Sequence, residues 1–450
     1  MRYPIAALAL VAVIAPARAQ DAPKPVPGLE KINHVIVIYL ENRSFDNLYG
    51  LFPGADGVAN ASPTAQTQVD KDGKPYDKLP PVLNTNMKPV AIDTRFPPAL
   101  DNKPYRADAY VKLEQITGDA WHRYYQEQLQ IDGGKMDKYV AWSDAGSLVM
   151  GYYDGSPSPV WQLAKDYTLM DHFHHAGFGG SFFNHIYMIC GCAPKFPNAP
   201  ADMIAKLEAD GSLVKDGAVT PDGYAVNTLF AAGGPYPAGY PTARLVPPQT
   251  DATIGDRLDE KGIDWAWYSG GWDDAVAGKP GPLFQFHHQP FAYFANYAVG
   301  TPGAKAHLKD EQDFIEGITK GELPPVVFFK PSGEDNEHPG YSSILAGEYH
   351  TNLLIDLIKR SPLWKDSAII ITYDENGGLW DHVAPPVIDK WGPGTRVPAL
   401  LISPFAKKGF IDHNVMDTTA IDKLIETRWG LKPLGTRDAA SGDMTEAFTF

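Results

Sequence analysis

The chain has 450 residues, of which 44% are hydrophobic and 12% aromatic, an ordinary composition for a globular protein with a large core. Its formal net charge is -15, from 39 Lys and Arg against 54 Asp and Glu, and the basic residues are scattered rather than clustered. This charge pattern argues against nucleic acid and anionic membranes as partners. An anionic ligand would need local positive charge from a metal ion or from histidines.

Residues 1–19 have the pattern of a cleaved secretory signal peptide. Arg2 gives a positive start, an apolar stretch covers residues 5–15, and residues 17–19 are Ala-Arg-Ala, which is typical of a signal peptidase site. The apolar stretch is too short to span a bilayer, and no later stretch is long and apolar enough for a transmembrane helix. We therefore expect a Sec-type signal, a secreted or periplasmic protein, and a single domain over residues 20–450.

The first predicted strand ends in polar side chains. Residues 32–40 are almost all apolar, which is typical of a strand buried on both faces of a parallel sheet, and the run stops at Glu41 and Asn42. Residues 52–106 are rich in Pro, Asp, Asn and Gly and show no sustained periodicity. They predict a long ordered loop over the edge of the sheet, of the kind that often shapes access to a binding site.

Three shorter elements follow this loop. A helix is predicted over residues 120–129, with His122 at its start, and a second helix near residues 160–164. Residues 167–170 then form a predicted strand that ends at Asp171.

The turn at residues 172–185 is the most informative part of the chain. It contains four histidines, three glycines and Ser181, and it leads into an apolar helix on which the last histidine, His185, lies. Glycine lets the backbone approach a ligand closely, and the N-terminus of a helix favours an anion such as phosphate. Ser181 alone would most simply be the N-cap of the helix, but the histidines beside it and the acidic strand ends favour a nucleophile.

The middle of the chain is less specific. Cys190 and Cys192 lie too close together for the usual redox or zinc motif, so we expect either a local disulfide or two buried thiols. Residues 194–254 are rich in loops, with one candidate helix over residues 201–209.

Two adjacent histidines follow a predicted strand at residues 263–268. Neighbouring residues point in different directions on a regular element, so we expect at most one of His287 and His288 to face a site, and a structural role is an equal alternative. A helix is predicted over residues 308–318.

A strand, a polar turn and a helix then form a predicted βα unit. The strand covers residues 325–329, His338 lies in the turn, and the helix covers residues 344–358. His338 is therefore expected on the same edge of the sheet as the other polar strand ends.

Two more apolar strands are predicted at residues 367–373 and 397–402, before a terminal helix over residues 418–429. The first of them stops at Asp374 and Glu375 and so repeats the pattern of the first strand. Because ligands of open α/β sheets bind at the carboxyl ends of the strands, the oxygen-bearing residues at these two ends predict one metal or phosphate site. The alternation of strands and helices predicts an α/β fold.

These side chains together would support the transfer of a phosphoryl group. The four residues that end the two strands carry hard oxygen ligands, suited to Mg²⁺, Ca²⁺, Mn²⁺ or Zn²⁺. A metal ion there would contact Ser181 Oγ, lower its pKa and neutralise a phosphate oxygen. Ser181 would attack phosphorus to form a phosphoserine that water cleaves, while a protonated histidine donates a proton to the leaving oxygen. The candidate histidines are His287, His288 and His338.

Four separated motifs occur in a fixed order. They are Glu-Asn-Arg-Ser-Phe-Asp at residues 41–46, Gly-Gly-Ser-Phe-Phe-Asn-His at 179–185, Asn-Glu-His-Pro-Gly at 336–340, and Tyr-Asp-Glu-Asn-Gly-Gly at 373–378 with Trp-Asp-His at 380–382. This series resembles the bacterial acid phosphatase and phospholipase C phosphoesterase family, of the alkaline phosphatase superfamily. The resemblance covers nearly the whole mature chain. It implies one phosphoesterase domain with an alkaline-phosphatase-like α/β fold, in which a central, mostly parallel sheet lies between helices and carries loop-rich insertions.

The resemblance also implies roles for individual residues. Ser181 matches the nucleophile, and one divalent metal ion is expected on Glu41, Asn42, Ser181, Asp374 and Glu375. The histidines that match the phosphate pocket are His287, His288 and His338, with His122 and His185 expected to contact the substrate.

Within that family, the Gly-Gly-Ser turn is more similar to the acid phosphatase branch, and the signal lacks the twin arginine of many phospholipases. We therefore expect an exported, metal-dependent phosphoesterase that hydrolyses phosphate monoesters through a phosphoserine. One alternative is a phospholipase C or other phosphodiesterase acting on phospholipids. Another is a non-catalytic exported protein that binds phosphate esters or glycans through aromatic residues such as Trp265, Trp267 and Trp272. Ser181 argues against this last alternative, because a pure binder needs no activated hydroxyl.

Overall fold

The computed structural model describes residues 21–450. The predicted signal peptide at residues 1–19 lies outside these residues. None of the helices within them is long and apolar enough to cross a membrane.

An eight-stranded sheet forms the centre of the protein. Its strands, in chain order, are β1 (His34–Leu40), β2 (Thr168–Met170), β3 (Trp265–Ser269), β4 (Leu308–Asp310), β5 (Val326–Lys330), β6 (Ser367–Tyr373), β7 (Ala399–Ile402) and β8 (Phe410–Asp412). In space they follow the order β4-β3-β5-β1-β6-β7-β2-β8. Only β7 runs antiparallel to its neighbours in this sheet, and every other adjacent pair is parallel. The predicted central, mostly parallel sheet is confirmed.

The register of the central strands sets the position of the site. β1 lies between β5 and β6, with Leu40 opposite Tyr373 and Ile38 opposite Phe329. The residues that follow β1 and β6 therefore emerge side by side at the carboxyl edge of the sheet, where α/β proteins bind their ligands.

The described residues form helices of very different lengths. They are α1 (Phe45–Tyr49), α2 (Pro63–Gln66), α3 (Tyr124–Ile131), α4 (Pro159–Asp166), α5 (Ser181–Cys190), α6 (Ile254–Glu260), α7 (Trp272–Val276), α8 (Pro302–His307), α9 (Glu311–Lys320), α10 (Ile344–Arg360), α11 (Thr419–Trp429) and α12 (Thr436–Ala440).

Helices cover both faces of the sheet. Phe329 of β5 points to one face, where its ring packs on Phe314 of α9 at a centroid distance of 4.6 Å. The preceding residue, Phe328, points to the other face and stacks on Trp267, which lies 6.1 Å from the ring of His185 on α5. α10 packs against α4 and α9, while α5 packs against α6 and α11. Burial on both faces explains why the central strands are continuous apolar runs.

The long segment between α1 and α3 has little regular structure, as predicted, but it is well packed. Its apolar residues form a second buried cluster that includes Leu79, Val82 and Phe96. Trp380, from the loop after β6, belongs to the same cluster, and its indole N–H donates to the carbonyl of Ala65 at 3.1 Å. The segment is thus attached to the loop that carries two of the acidic site residues.

Three predicted helices differ in the structure. Residues 201–209 form a short 3-10 turn, Ala201–Met203, and then pair Lys206–Leu207 with Leu213–Lys215, because the intervening Asp-Gly sequence makes a hairpin. The predicted helix over residues 308–318 begins only at Glu311. Residues 308–310 form the edge strand β4, and Asp310 then caps α9 through a capping box.

The third difference concerns the helix predicted over residues 120–129. α3 begins at Tyr124 after an extended Arg123, so His122 precedes the helix instead of starting it. Cys190 and Cys192 are joined by a disulfide, which decides between the two alternatives left open by the sequence.

Candidate active site

Ser181 is the first residue of α5, and the N-cap position is taken by Gly180. The simpler alternative, that Ser181 is the N-cap of the helix, is therefore wrong, and its hydroxyl is free for other contacts. Ser181 Oγ lies 3.2 Å from Asn42 Oδ1 and 3.4 Å from Glu375 Oε1. A side chain at Gly180 would not fit, because a Cβ there would lie 2.7 Å from the carbonyl oxygen of His122. The glycine thus lets the nucleophile candidate and His122 approach each other.

Asn42 adopts an unusual backbone conformation at the end of β1. Its φ is 59°, in the left-handed region that side chains other than glycine rarely occupy. Its backbone N–H donates to Asp374 Oδ1 at 3.1 Å, and a Cβ on Gly377 would lie 2.6 Å from its carbonyl oxygen. Strain of this kind persists only when surrounding contacts hold it, and it is common at functional sites.

Asp374 is fully buried at the end of β6 and is only partly satisfied. Its Oδ1 accepts hydrogen bonds from the backbone N–H groups of Asn42 and Glu375, whereas Oδ2 has no hydrogen-bond partner among residues 21–450 and lies 3.6 Å from His185 Nδ1. Burial raises the pKa of Asp374 to about 6, although the Lys330 ammonium opposes this. The free carboxylate oxygen is a ready position for a cation.

Glu375 contacts both the serine and a histidine. Its Oε2 accepts the N–H of Gly377 at 2.5 Å, and its Oε1 lies 3.4 Å from Ser181 Oγ and 3.7 Å from His122 Nε2. Burial raises the pKa of Glu375 to about 8, against the opposing charge of His122. Burial thus disfavours the charged form of both adjacent carboxyl groups, and a bound cation would offset that cost.

Glu41 has a different environment from the other acidic residues. Its Oε1 lies 2.8 Å from the ammonium of Lys330 and contacts His288 Nε2, and its Oε2 accepts from the Tyr341 hydroxyl at 3.3 Å. Burial alone would raise its pKa, but His288 and Lys330 hold the pKa well below its usual range. Lys330, fully buried at the end of β5, is a site residue that the sequence analysis missed. The signal in the sequence was that Lys330 directly follows a predicted buried strand, which the structure places next to β1.

His287 and His288 lie on a single 3-10 turn, Phe286–His288. Their rings lie 5.9 Å and 5.1 Å from the ring of His185, so both face the same part of the site. The expectation that at most one of them faces a site is wrong, because the turn does not alternate its side chains as a strand would. His185 is itself fully buried, and its Nδ1 lies 2.8 Å from the carbonyl oxygen of Ser181.

His122 and His338 form a second histidine pair on the outer side of the site. Their ring centroids are 5.7 Å apart, and His338 Nε2 lies 3.7 Å from Glu41 Oε2. His122 Nδ1 lies 2.7 Å from the carbonyl oxygen of Ala120. Burial lowers the pKa of His122, but the charges of Glu375 and Asp119 outweigh it and raise the pKa to about 9.

A cavity of about 460 Å³ opens beside this pair. Its wall includes His122 and Gly180, which places it next to Ser181, together with Trp121, Arg123 and Asp216. Trp121 is 59% exposed at this surface. The cavity thus lies beside the residue that precedes Ser181, while Ser181 itself is buried.

A buried ionic network holds the loops that carry the site. Arg396 Nε lies 2.8 Å from Asp381 Oδ1, and its Nη2 lies 3.3 Å from Asp46 Oδ1. His382 Nδ1 lies 2.6 Å from Asp46 Oδ2. Asp46 follows β1 and Asp381 follows β6, so the network fixes the two strand-end loops relative to each other.

The structure thus brings the predicted site residues to one edge of the sheet. The oxygen-bearing group around Ser181 comprises Asn42, Asp374 and Glu375, and the histidine groups around it are His185 with His287 and His288, and His122 with His338. Glu41 joins the two sides through His288 and His338. One ligand atom from each of Glu41, His185 and His288 lies within 4.8 Å of the others, a spacing that also permits metal binding.

The donor set suits a divalent metal ion. It offers two buried carboxylates with raised pKa values, an amide oxygen and a hydroxyl, and Asp374 Oδ2 has no other partner. Oxygen donors of this kind are preferred by hard divalent cations.

Comparison with known proteins agrees with this chemistry. The profile of the phosphoesterase family matches residues 32–432. Phospholipase C A of Mycobacterium tuberculosis (strain ATCC 25618 / H37Rv) is 25% identical, over 95% of this chain and 79% of its own length. Non-hemolytic phospholipase C of Pseudomonas aeruginosa is 25% identical over 94% of this chain, which spans 58% of that relative's length.

Among solved structures, a protein in the alkaline phosphatase superfamily from Vibrio parahaemolyticus aligns with 66% of this chain and 66% of its own. The overlap is partial, with 14% sequence identity and a TM-score of 0.36. The family profile, in contrast, covers both acidic strand ends, the serine turn and all five histidines of the site. The chain therefore belongs to the phosphoesterase family and is a hydrolase of phosphoric esters.

Proposed function

We propose that the protein is an exported, metal-dependent phosphoesterase that hydrolyses phosphate monoesters through Ser181. The observation that carries this proposal is the position of Ser181 Oγ, which does not cap its helix and lies within 3.4 Å of both Asn42 and Glu375. A hydroxyl beside buried carboxylates at a helix N-terminus is suited to attack on a phosphate ester. Export is supported by the signal-like composition of residues 1–19.

One divalent ion would be held by Asn42, Ser181, Asp374 and Glu375, with Glu41 as a further ligand. When bound, the ion supplies positive charge that lowers the pKa of the serine hydroxyl and balances the phosphate oxygens. Glu41 is already paired with Lys330 and His288, so its role includes holding that side of the site in place. We expect Asp374→Asn to weaken metal binding more than Glu41→Gln does.

The remaining steps belong to the side chains of this chain. Ser181 Oγ loses its proton to solvent and forms a bond to phosphorus as the bond from phosphorus to the ester oxygen breaks, and His338 donates a proton to that leaving oxygen. His122, on the wall of the cavity, holds the phosphate. Water then attacks the phosphoserine, phosphate leaves, and Ser181 Oγ regains a proton. The rings of His287 and His288 lie beside that of His185, and His288 also contacts Glu41, so both help to hold these site residues in place.

A phospholipase C type of diesterase is the second candidate. The relatives from Mycobacterium tuberculosis and Pseudomonas aeruginosa are phospholipases C, and the cavity of about 460 Å³ beside Ser181 has room for a second ester arm. The monoester is placed first because the Gly-Gly-Ser-Phe-Phe-Asn-His turn is more similar to the acid phosphatase branch.

The test is the release of p-nitrophenol from its phosphate monoester and from its phosphorylcholine diester, with Mg²⁺, Mn²⁺, Ca²⁺ or Zn²⁺, from acid to alkaline pH. Ser181→Ala is compared with Ser147→Ala, a change at a fully buried serine whose hydroxyl has no partner. A monoester preference that is lost only in Ser181→Ala supports the proposal. A diester preference would replace it with the second candidate, and turnover that survives in Ser181→Ala would contradict both.

A further inference from the structure

A second group of metal-binding side chains lies at the same edge of the sheet, away from Ser181. Asp171 and His172 follow β2, and His413 follows β8. β2 and β8 are parallel neighbours, with Met170 opposite Asp412, so their carboxyl ends deliver these residues to one place. The geometry that assembles the active site from β1 and β6 is thus repeated at the far end of the sheet, with histidines added.

The side chains of this group are close enough to share one ion. One ligand atom from each of Asp171, His172 and His413 lies within 4.8 Å of the other two. His413 Nδ1 lies 2.9 Å from Asp171 Oδ2, and His172 Nε2 lies 4.0 Å from Asp171 Oδ1. Asp56 lies next to this group, with its Oδ2 3.3 Å from His172 Nε2 and its backbone N–H donating to Asp171 Oδ2 at 2.8 Å.

No lysine or arginine side chain forms an ion pair with either of these two carboxylates within residues 21–450. Arg396 is adjacent, but it donates to the backbone carbonyls of Asp56 and Asp171, at 2.7 and 2.8 Å, and not to their side chains. Its guanidinium is instead paired with the carboxylates of Asp46 and Asp381. The Asp46, Asp381 and His382 cluster thus contains its own cation, whereas the Asp56 and Asp171 carboxylates have imidazoles and neutral N–H donors beside them. Asn60 Nδ2 donates to Asp56 Oδ1, and the backbone N–H of Asp56 donates to Asp171 Oδ2, both at 2.8 Å.

We propose that Asp56, Asp171, His172 and His413 form a second metal site, for Zn²⁺. Two imidazole nitrogens and two carboxylate oxygens are a common donor set for four-coordinate zinc, and a divalent ion balances the two negative charges. The His413 side chain is 60% exposed while Asp171 is fully buried, so an ion reaches the site from solvent and rests on a fixed carboxylate.

The position of the site in the fold indicates a structural role. Asp56 lies in the segment after α1, and its Oδ1 is 3.2 Å from His382 Nε2, whose Nδ1 contacts Asp46 on α1. Zinc at this position would join that segment to the ends of β2 and β8. The inference does not depend on the proposed reaction, because none of its four ligands belongs to the site around Ser181.

The test counts zinc in purified protein that has been stripped with chelator, equilibrated with excess Zn²⁺ and desalted. His413→Gln and His172→Gln are compared with wild type, with Asp374→Asn/Glu375→Gln, and with His350→Gln. His350 pairs with Glu311 at 2.7 Å outside any such cluster, so it is a matched control for the loss of one half-buried histidine. The melting temperature of each variant is measured with and without Zn²⁺.

We expect His413→Gln and His172→Gln each to bind about one zinc fewer than wild type and to lose zinc-dependent stabilisation, while His350→Gln behaves as wild type. Asp374→Asn/Glu375→Gln should keep this ion. Equal zinc content and equal zinc stabilisation in wild type, His413→Gln and His172→Gln would overturn the proposal. Equal zinc content in wild type and Asp374→Asn/Glu375→Gln would count instead against zinc at the active site, so the two failures are distinguishable.

Discussion

At the scale of single residues, the site depends on groups that do not perform their commonest structural role. A serine at the start of a helix is usually its N-cap, yet at α5 the cap position is Gly180 and Ser181 is the first helical residue. A lysine is usually exposed, yet Lys330 is fully buried and faces Glu41. Each of these two arrangements costs stability, and such costs are expected at a functional site.

The first prediction concerns the stability contributed by Ser181. Because its hydroxyl does not cap α5, Ser181→Ala should change the free energy of unfolding by less than about 0.5 kcal/mol in metal-free protein. Ser343 is a true cap, whose side chain accepts from the N–H of Ala346 at 3.2 Å, and Ser343→Ala should cost about 1 kcal/mol. Urea denaturation of the two variants checks this. A larger loss in Ser181→Ala than in Ser343→Ala would show that the Ser181 hydroxyl is a structural group.

A second prediction concerns the buried pair of Lys330 and Glu41. Lys330→Met removes the ammonium and leaves a buried carboxylate, so it should cost about 3 kcal/mol of unfolding free energy. Adding Glu41→Gln should recover part of this loss, with a coupling energy of about 1–3 kcal/mol in a double-mutant cycle. The exposed pair of Lys320 and Glu316, 3.0 Å apart, is the control and should couple by less than about 0.5 kcal/mol. Equal coupling in the two pairs would contradict the role given to burial.

At the scale of secondary-structure elements, the packing of α10 on α4 includes a buried acid. Glu348 of α10 accepts a hydrogen bond from the N–H of Val160, in the first turn of α4, at 2.8 Å. Burial raises its pKa from 4.5 to about 7. Burial therefore favours the protonated carboxyl group in the folded state, although the hydrogen bond from Val160 favours the charged form.

The third prediction follows from this raised pKa. A carboxyl group whose pKa is higher in the folded state holds its proton more tightly there, so its contribution to stability falls as pH rises from about 4.5 to about 7. Glu348→Gln keeps an oxygen for Val160 and has no charge, so it should stabilise the protein at pH 8 by up to about 3 kcal/mol and flatten the pH dependence. Glu316→Gln, on an exposed part of α9, is the control. Urea denaturation from pH 4.5 to 8 measures this, and a steeper pH dependence in Glu348→Gln would contradict it.

The central strands were predictable because burial on both faces requires a continuous apolar run, and residues 367–373 form β6 as predicted. The edge strand β4 was not predictable, since the three residues Leu308–Asp310 are too few to show a periodic hydrophobic pattern. They form a strand only because β3 lies beside them. In the same way, Ser181 could be proposed as a nucleophile from its neighbours, but its freedom from capping depends on the conformation of Gly180.

The pairing of Lys330 with Glu41 depends on contacts between distant segments. Lys330 ends β5 and Glu41 follows β1, and the two meet only because β5 and β1 are parallel neighbours. The polar group at each strand end can be read from the sequence. Which of these groups are partners depends on the order of the strands in the sheet. The same holds for His413 and Asp171, whose strands are adjacent in the sheet but far apart in the chain.

At the scale of the whole molecule, net charge and local charge have opposite effects on an anionic substrate. The net charge of -15 repels an anionic phosphate ester at long range, while His122, whose pKa is raised to about 9, and a bound metal ion would attract it at short range. Dissolved salt screens exposed charges beyond about 10 Å at 0.1 M but has little effect on buried groups.

The fourth prediction uses this difference in range. Raising NaCl from about 0.01 to about 0.2 M should increase kcat/KM for the dianionic p-nitrophenyl phosphate roughly two- to threefold, because the repulsive outer field is screened more than the buried site. For the phosphorylcholine diester, whose ammonium and phosphate charges cancel, kcat/KM should stay nearly constant over the same range. Each series is measured at saturating metal, so that salt acts on substrate encounter and not on metal occupancy. A fall in kcat/KM for the monoester would mean that the positive charge around Ser181 extends far enough to steer the substrate, and that the acidic surface does not limit its approach.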